Sequence, residues 1–580
     1  MQRSYVALGE QHRGKPWKQI PDTLFSEYSR NGNRNHYERE CFERRDRLRF
    51  LVMAEILQHN GRFIPDIRDG LHYFLKETWW GVPAHYPLPQ PNRDNQVVDL
   101  FNAETAGLLA WTVYMLHDEL ETLDRNICQA ISDEINRRFL KPALTTDFAW
   151  KQKANNWNPW ICSNWLACVL FCEPDRQQQV MAVEQILQSL DVFIDGYPDD
   201  GGCDEGIDYW NRAAGSLFDC LNLLKLATDG AISLANEPKI KAMASYAYKM
   251  YISNDSFINY ADSSPKARIN INVCYPFGKY IEDSIMMGYA AFIARKQNYT
   301  SRPATFFNWS GSLSRELLFL PLIGEFLQLK PIEPLIQDVW LPDLQVFTAR
   351  SEGGSSQGLF VAAKGGHNDE SHNHNDIGNF IIYGDGQPLF IDIGAATYTD
   401  KSFNNQRYQQ PNTRSAYHNV PIINGCEQQE GRLFQAKKLK YTNKRDWARW
   451  SADLASAYPD KAKVSQWTRT IRIDRNRQIT VNERYKLKQY LAPSQIILIC
   501  STSPLLVKPG LLLIATTAGN YHLSYNPTQV EPQIEKIDCD DTVTRNSWGQ
   551  YDLHRIKLSV AGTSLKGEIT YKIQPVNLLE

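Results

Sequence analysis

Hydrophobic residues in roughly the first 330 positions recur every three or four residues, as they do on one face of an α-helix. Segments 43–60, 103–120 and 213–228 show this spacing most clearly. Stretches rich in Gly, Pro, Asn and aromatic residues separate them, such as WWGVPAHYPLPQPNRDN at 79–95. The pattern predicts many helices between about residues 35 and 330, joined by aromatic-rich loops that suit the lining of a groove.

The spacing changes to two after the proline-rich stretch 328–344. NFIIYGDGQPLFIDIG at 379–394 is typical of a strand, a tight turn and a second strand. WTRTIRIDRNRQITVNERYKL at 467–487 alternates in the same way around a polar turn. Helices followed by strands, without βαβ alternation, indicate an α+β multidomain chain. We expect a helical domain at 1–335 and an antiparallel β domain at 336–580.

Composition narrows the class of protein without identifying it. The formal net charge of −2 favours neither nucleic acid nor an anionic membrane as a partner. No apolar run is long enough to span a bilayer, and the first fifteen residues are too polar for a signal peptide. The periplasmic location considered below implies a leader that this sequence does not include. Eleven cysteines without a CxxC pair predict buried thiols and no disulfide framework.

Four of the twelve histidines lie within 52 residues, at 367, 372, 374 and 418, and two of these four belong to SHNHNDIGNF at 371–380. On a strand, His372 and His374 would share one face. Asp392 is expected on the next strand of the hairpin, and His418 follows in TRSAYHNVPIING. Two imidazoles and a carboxylate can form a zinc site with three protein ligands. A hydrogen-bonded polar cluster is the alternative.

SHNHNDIGNFIIYGDGQPLFIDIG followed by RSAYHNVPIING closely resembles the heparinase II/III-like family of polysaccharide lyases. The resemblance implies an N-terminal incomplete (α/α) toroid followed by an antiparallel β-sandwich. It also implies that His372 faces the substrate, whereas His374, Asp392 and His418 hold a mainly structural Zn²⁺. Several relatives have Asn before the first histidine, where this chain has Ser371.

Two motifs in the helical half also resemble the family, namely NNWNPWICSNW at 155–165 and YPDDGGCDEGIDYWNRAAG at 197–215. The lyase reaction removes the C5 proton of a uronic acid, protonates the O4 leaving group and requires neutralisation of the carboxylate. The resemblance implies that Asn156 and His372 neutralise the carboxylate and that Tyr209 transfers protons. Asn156 as a loop cap and Tyr209 as an interface aromatic remain open.

Other residues near these motifs are candidates for substrate binding. Trp157 offers a stacking surface. The resemblance implies that Glu205 lines the groove, and a carboxylate at the start of a helix is the alternative. Arg212 follows Tyr209 by three residues, which places both on one face if the segment is helical, although Arg212 can also pair with Asp208. Around the predicted zinc loop the candidates are Tyr398, Tyr408 and Arg414, of which Tyr408 and Arg414 are preferred.

These features together predict a polysaccharide lyase that cleaves a uronic-acid polymer by β-elimination. The expected substrate is an acidic glycosaminoglycan such as heparan sulfate, heparosan, hyaluronan or chondroitin. The alternatives are a toroid glycoside hydrolase that uses the carboxylates of 204–208 on uronate oligosaccharides, and a non-catalytic glycan-binding protein. Relatives suggest a periplasmic location, whereas the cysteines favour the cytoplasm. A homodimer is left open.

Overall fold

Helices occupy most of the chain before residue 330, as the sequence predicts. The computed structural model describes residues 2–299 and 312–576. The α-helices span Gln2–His12, Asp22–Phe25, Glu27–Asn31, Asn35–Gln58, Ile64–Lys76, Leu100–Met115, His117–Leu123, Ile127–Ile135, Lys141–Thr145, Trp157–Cys172, Arg176–Gly196, Ala214–Ala227, Pro238–Lys249, Ile271–Tyr280, Ser284–Lys296, Leu313–Phe319, Ile323–Phe326 and, in the second half, Thr542–Trp548.

Aspartate side chains fix where several of these helices begin. Asp99 accepts a hydrogen bond from the backbone of Asn102, and Asp175 caps Arg176–Gly196 in the same way. Leu100–Met115 is buried along nearly its whole length. Segment 103–120 is helical, as predicted. The expectation that only one face of this helix is apolar and buried is wrong, because other helices surround it.

The chain divides into two compact units. The helical unit comprises Met1–Tyr197, Asn211–Ala244 and Ile269–Ile332. The sheet unit comprises Pro198–Trp210, Ser245–Arg268 and Glu333–Glu580, so two segments of the helical half belong to it. The α+β fold class predicted from the sequence is confirmed. Within the described residues, no helix is long and apolar enough to cross a membrane. All eleven cysteines are free, and nine are buried.

Two antiparallel sheets form the larger part of the sheet unit. The first has the strand order Val530–Lys536, His554–Val560, Gln495–Cys500, Gln387–Phe390, Phe380–Gly384, Leu359–Lys364, Val346–Arg350 and Asp338–Leu341, with Pro421–Ile422 beside Gln495–Cys500. The second has the order Lys437–Asn443, Trp447–Asp453, Val464–Asp474, Gln478–Leu487, Lys566–Pro575, Asn520–Tyr525, Leu511–Ala515 and Leu505–Lys508. Two small two-stranded sheets pair Tyr251–Ser253 with Ser256–Phe257 and His367–Asn368 with Gly431–Gln435.

The hydrophobic core lies between the two sheets. Alternate residues of Val464–Asp474 and Gln478–Leu487 are buried, which is the signature of a strand with one face on a core. Leu359–Lys364 and Phe380–Gly384 are buried at every position. The first sheet is therefore covered on both faces. One cover is the apolar layer around Trp548.

A buried ion pair connects the second sheet with two loops that join strands of the first sheet. Arg469 and Glu483 are both fully buried and 2.6 Å apart. The Arg469 guanidinium also donates to the carbonyls of Gly378 and Asn419, at 2.7 and 2.5 Å. Removing one partner would leave a buried charge, which typically costs about 3–5 kcal/mol. The pair thus holds two irregular segments in place next to the residues considered below.

Candidate active site

The segment that carries His372 and His374 is a loop, and the expectation that both histidines lie on one strand is wrong. Residues 371–376 contain no strand, and His372 adopts the left-handed backbone conformation with a φ of 56°. The segment is a run of polar residues that gives a strand no apolar face to bury. Its backbone is held elsewhere instead, since Asn375 N donates to Thr413 O at 2.9 Å.

One buried carboxylate joins the two histidines. Asp262 Oδ2 lies 2.8 Å from His372 Nδ1, and Asp262 Oδ1 lies 2.9 Å from His374 Nε2. Arg407 Nη2 donates to Oδ2 at 2.8 Å. Burial raises the pKa of Asp262, but the hydrogen bonds from both histidines and the Arg407 charge outweigh it, so the net pKa is well below the usual range. Asp262 is therefore a carboxylate that orients both rings.

Two tyrosine hydroxyls extend this arrangement. Tyr209 Oη lies 2.7 Å from Tyr398 Oη, and Tyr398 Oη donates to Asp262 Oδ2 at 3.0 Å. The Tyr209 ring stacks on His372 with centroids 4.3 Å apart, and Glu205 Oε2 lies 3.5 Å from His372 Nε2. Burial and the Asp262 charge raise the pKa of Tyr209 well above 10. Tyr209 thus carries its proton and can donate it. We call Tyr209, Asp262, His372, Tyr398 and Arg407 the Asp262 cluster.

The acidic residues at 204–208 have different surroundings. Asp204 Oδ2 accepts from Ser371 N at 3.1 Å, and Asp208 Oδ2 accepts from Ser264 N at 2.6 Å. Burial raises the pKa of Asp208 to about 6. Both side chains bind backbone segments of the sheet unit, whereas Glu205 contacts His372.

The three predicted metal ligands come together. Donor atoms of His374, Asp392 and His418 lie within 4.8 Å of one another, and all three residues are buried. We call these three residues the metal triad. His418 Nδ1 is 3.1 Å from Asp392 Oδ2, and His418 Nε2 is 2.9 Å from the Asn412 carbonyl. Asp392 lies just beyond the strand Gln387–Phe390, so the expectation that it lies on that strand is wrong.

The hydrogen bonds of the metal triad indicate which nitrogen of each histidine would bind an ion. A carbonyl only accepts, so His418 Nε2 carries a proton, and Nδ1, which faces the Asp392 carboxylate, is the nitrogen that would bind an ion after giving up its own proton. His374 Nε2 faces the Asp262 carboxylate, which leaves Nδ1 as the unprotonated nitrogen. Within the part of the chain that the structure describes, this buried His374 Nδ1 has no hydrogen-bond partner. A buried lone pair without a partner, beside an imidazole and a carboxylate, fits a divalent metal such as zinc.

Two of the predicted substrate residues, Tyr408 and Arg414, have side-chain partners outside the Asp262 cluster. Tyr408 Oη accepts from Asn373 Nδ2 at 3.2 Å. Arg414 forms an ion pair with Glu427, and its side chain is 44% exposed. Their counterparts in the cluster are Tyr398 and Arg407. The sequence marked Tyr398 as a third candidate, but nothing in it marked Arg407 or Asp262.

The remaining predicted residues belong to the helical unit. Asn156 is buried and begins the helix Trp157–Cys172, but its side chain makes no capping hydrogen bond. The half-buried Trp157 ring lies 4.8 Å from the ring of His85. Arg212 pairs with Glu104 at 3.2 Å, instead of Asp208, and its guanidinium lies 3.8 Å from the centre of a Trp160 ring.

The chain resembles known proteins in the sequence of one segment and, over nearly its whole length, in its fold. Residues 341–488 match the family model described as heparinase II/III-like, C-terminal. This segment includes His372 and all three residues of the metal triad. No curated protein matches the chain in sequence.

Solved structures resemble nearly the whole chain. A heparinase III structure aligns with a TM-score of 0.67 and 10% identity over 97% of this chain and 80% of that chain. A second heparinase III gives 0.64 and 11% over 99% and 84%. Heparan sulfate lyase HepC from Pedobacter heparinus gives 0.60 and 10% over 99% and 88%. At this identity the likeness establishes a shared fold.

Proposed function

We propose that this chain, which carries a heparinase II/III-like C-terminal domain and has the fold of heparinase III, is a polysaccharide lyase. The observation that carries the proposal is the Asp262 cluster, in which a protonated Tyr209 hydroxyl and the His372 ring lie side by side. The proposed substrate is a uronic-acid polymer of the glycosaminoglycan type. The structures that share the fold include a heparan sulfate lyase, which supports this class.

The proposed reaction is β-elimination at a uronic acid. A base removes the C5 proton, the freed electron pair forms the C4–C5 double bond, and the C4–O4 bond breaks. The O4 oxygen leaves with the bonding pair and takes a proton, for which the Tyr209 hydroxyl is the proposed donor. His372, oriented by Asp262, and Asn156 are proposed to neutralise the uronate carboxylate, so that the carbanionic intermediate is stabilised. Trp157, Glu205, Arg212, Tyr408 and Arg414 remain the proposed substrate-binding residues.

Incubation with heparosan, heparan sulfate, hyaluronan and chondroitin should produce ultraviolet absorption with at least one polymer. The absorption arises because elimination leaves a double bond conjugated with the uronate carboxylate, and it is followed in a spectrophotometer as chains shorten. The matched control is the same polymer with its carboxylates reduced to alcohols, which should not be cleaved. New reducing ends without absorption would indicate hydrolysis, and binding without cleavage would indicate a glycan-binding protein.

The proposal includes one zinc ion per chain, held by the metal triad. Such an ion would supply a cross-link between the loops that carry His374, Asp392 and His418, which stabilises the fold around His372. Elemental analysis of the purified protein should therefore find about one zinc per chain.

A second group of possible ligands provides the control for zinc content. His117, Glu121 and Cys128 also have donor atoms within 4.8 Å of one another, in the helical unit. We expect His117→Ala to keep its zinc and Asp392→Ala to lose it. The reverse result would contradict the assignment to the metal triad.

The proposal also places the protein in the periplasm, as the resemblance of its sequence motifs to the heparinase II/III-like family implies. The eleven free cysteines of the structure fit the cytoplasm equally well. Fractionation of cells that produce the protein from its native gene separates the two, and recovery in the cytoplasm would contradict the periplasmic location.

A further inference from the structure

His85 of the helical unit lies between two aromatic rings. It ends the short 3-10 turn Pro83–His85. Its imidazole stacks on Phe101, with centroids 5.6 Å apart and planes inclined by 7°, and lies 4.8 Å from the Trp157 ring. Its side chain remains 15% exposed. One edge of the ring is therefore accessible to a ligand.

A buried carboxylate fixes the tautomer of this imidazole. Asp99 is 1% exposed, and its Oδ2 lies 2.8 Å from His85 Nδ1. A carboxylate only accepts, so Nδ1 carries the proton and Nε2 of the neutral ring presents a lone pair. Asp99 is itself immobilised, because its Oδ1 accepts from Asn102 N at 2.6 Å. Gly81 permits this approach, since a Cβ there would lie 2.7 Å from Oδ1.

The helical unit contains an ordinary pair of the same type for comparison. His72 Nε2 bonds to Asp124 Oδ2, and its side chain is 45% exposed. Among the ring contacts of the described residues, none involves His72. The His85 pair differs in its buried carboxylate, its two aromatic neighbours and its position beside Trp157, the residue that follows Asn156.

We propose that His85 and Trp157 form a sugar-binding subsite. One ring of the acidic polysaccharide packs against the half-buried face of Trp157, and one of its hydroxyls donates a hydrogen bond to His85 Nε2. Aromatic faces with a few fixed polar groups are the usual components of such sites. The choice of an acidic polysaccharide as the ligand rests on the proposed function. The contacts of His85 support a binding site here independently of that function.

Asp99→Asn is the sharpest test, because it reverses the polarity of Nε2 while conserving shape. The oxygen of the introduced amide can still accept from Asn102 N and cap the helix, but the amide nitrogen then faces His85 Nδ1. The imidazole must place its proton on Nε2, which changes from an acceptor to a donor. On the glycosaminoglycan that the wild-type protein cleaves fastest, Asp99→Asn and His85→Ala should each raise KM about fivefold. Turnover should stay within about twofold.

Two further variants separate binding from structure. His85→Gln places an amide near the position of Nε2 and should recover part of the lost affinity. His72→Ala removes the comparison pair and should leave KM unchanged. An equal rise in KM in His72→Ala, or no rise in Asp99→Asn and His85→Ala with melting temperature retained, would overturn the subsite.

Direct binding distinguishes failure of the subsite from failure of the proposed function. Titration calorimetry with heparosan, heparan sulfate, hyaluronan and chondroitin, using Tyr209→Phe as the host protein, measures Kd without turnover. Binding that weakens about fivefold in His85→Ala, even if the wild-type protein cleaves none of the polymers, supports the subsite and rejects the lyase. If Tyr209→Phe binds none of the four polymers, the subsite is rejected. If the wild-type protein cleaves a polymer and His85→Ala leaves both KM and Kd unaltered, the subsite is rejected and the lyase proposal stands.

Discussion

Tyr209→Phe should lower turnover of the uronate polymer at least about a hundredfold. The change keeps the ring that stacks on His372 and removes only the hydroxyl, which lies 2.7 Å from Tyr398 Oη. A loss of this size is usual when a positioned proton-transfer group is removed. The rate of ultraviolet absorption at saturating polymer measures it, while KM is expected to change little.

Two other tyrosine variants show whether the effect is specific. Tyr246 Oη donates to the Cys203 carbonyl at 3.2 Å in the same unit, so Tyr246→Phe also removes one buried hydroxyl. It should keep nearly full turnover. Tyr398→Phe removes the other phenol of the cluster and tests which of the two donates. Near-normal turnover in Tyr209→Phe together with a large loss in Tyr398→Phe would move the role to Tyr398.

His374→Ala and His372→Ala should fail in different ways. His374→Ala removes a ligand of the metal triad, so we expect loss of zinc, a lower melting temperature and loss of activity. His372→Ala removes the ring that stacks on Tyr209, so turnover should fall by a similar factor while zinc remains. Because both histidines bond to Asp262, a small drop in melting temperature is also expected for His372→Ala. Elemental analysis, thermal unfolding and turnover on each purified variant separate the two roles.

His367 offers a matched control for these substitutions. It is half-buried in the same chain segment, and its Nδ1 accepts from Asp369 N at 3.1 Å, outside the Asp262 cluster. His367→Ala should keep zinc and turnover. Equal loss of zinc in His372→Ala and His374→Ala would make the pair a joint metal site. Full activity in both would mean that the cluster is structural.

The spacing of hydrophobic residues along the sequence predicted the helices, the strands and the hairpin turn. The change of period near residue 330 anticipated helices and then strands, and the Asp385–Gly386 turn lies where the hairpin motif placed it. The metal triad was also predicted, but through a resemblance in its motif and not through strand geometry. Its three residues lie in irregular segments, where side chains do not alternate between two faces as they do along a strand.

Contacts across long sequence distances were not predictable from a single sequence. Asp262 lies 110 residues before His372 and 145 before Arg407, in a segment with no motif of its own. The choice between Tyr398 and Tyr408 depended on the path of an irregular loop, and spacing alone does not determine such a path. Arg414 was the arginine chosen near the predicted zinc loop, and the structure pairs it with Glu427, whereas Arg407, which the sequence did not mark, contacts Asp262.

The sheet unit is built from three separate segments of the chain, and this affects when its residues can come together during synthesis. Tyr209 and Asp262 leave the ribosome well before the partners with which they interact, which lie 189 and 110–145 residues further along the chain. Until those partners arrive, Asp262 is a carboxylate without the cationic groups that make its burial favourable. The Asp262 cluster therefore has a high contact order and must assemble late, after most of the chain has been made. If the gene were divided at the boundary near residue 332, it would yield two polypeptides, and neither would contain all five residues of the Asp262 cluster.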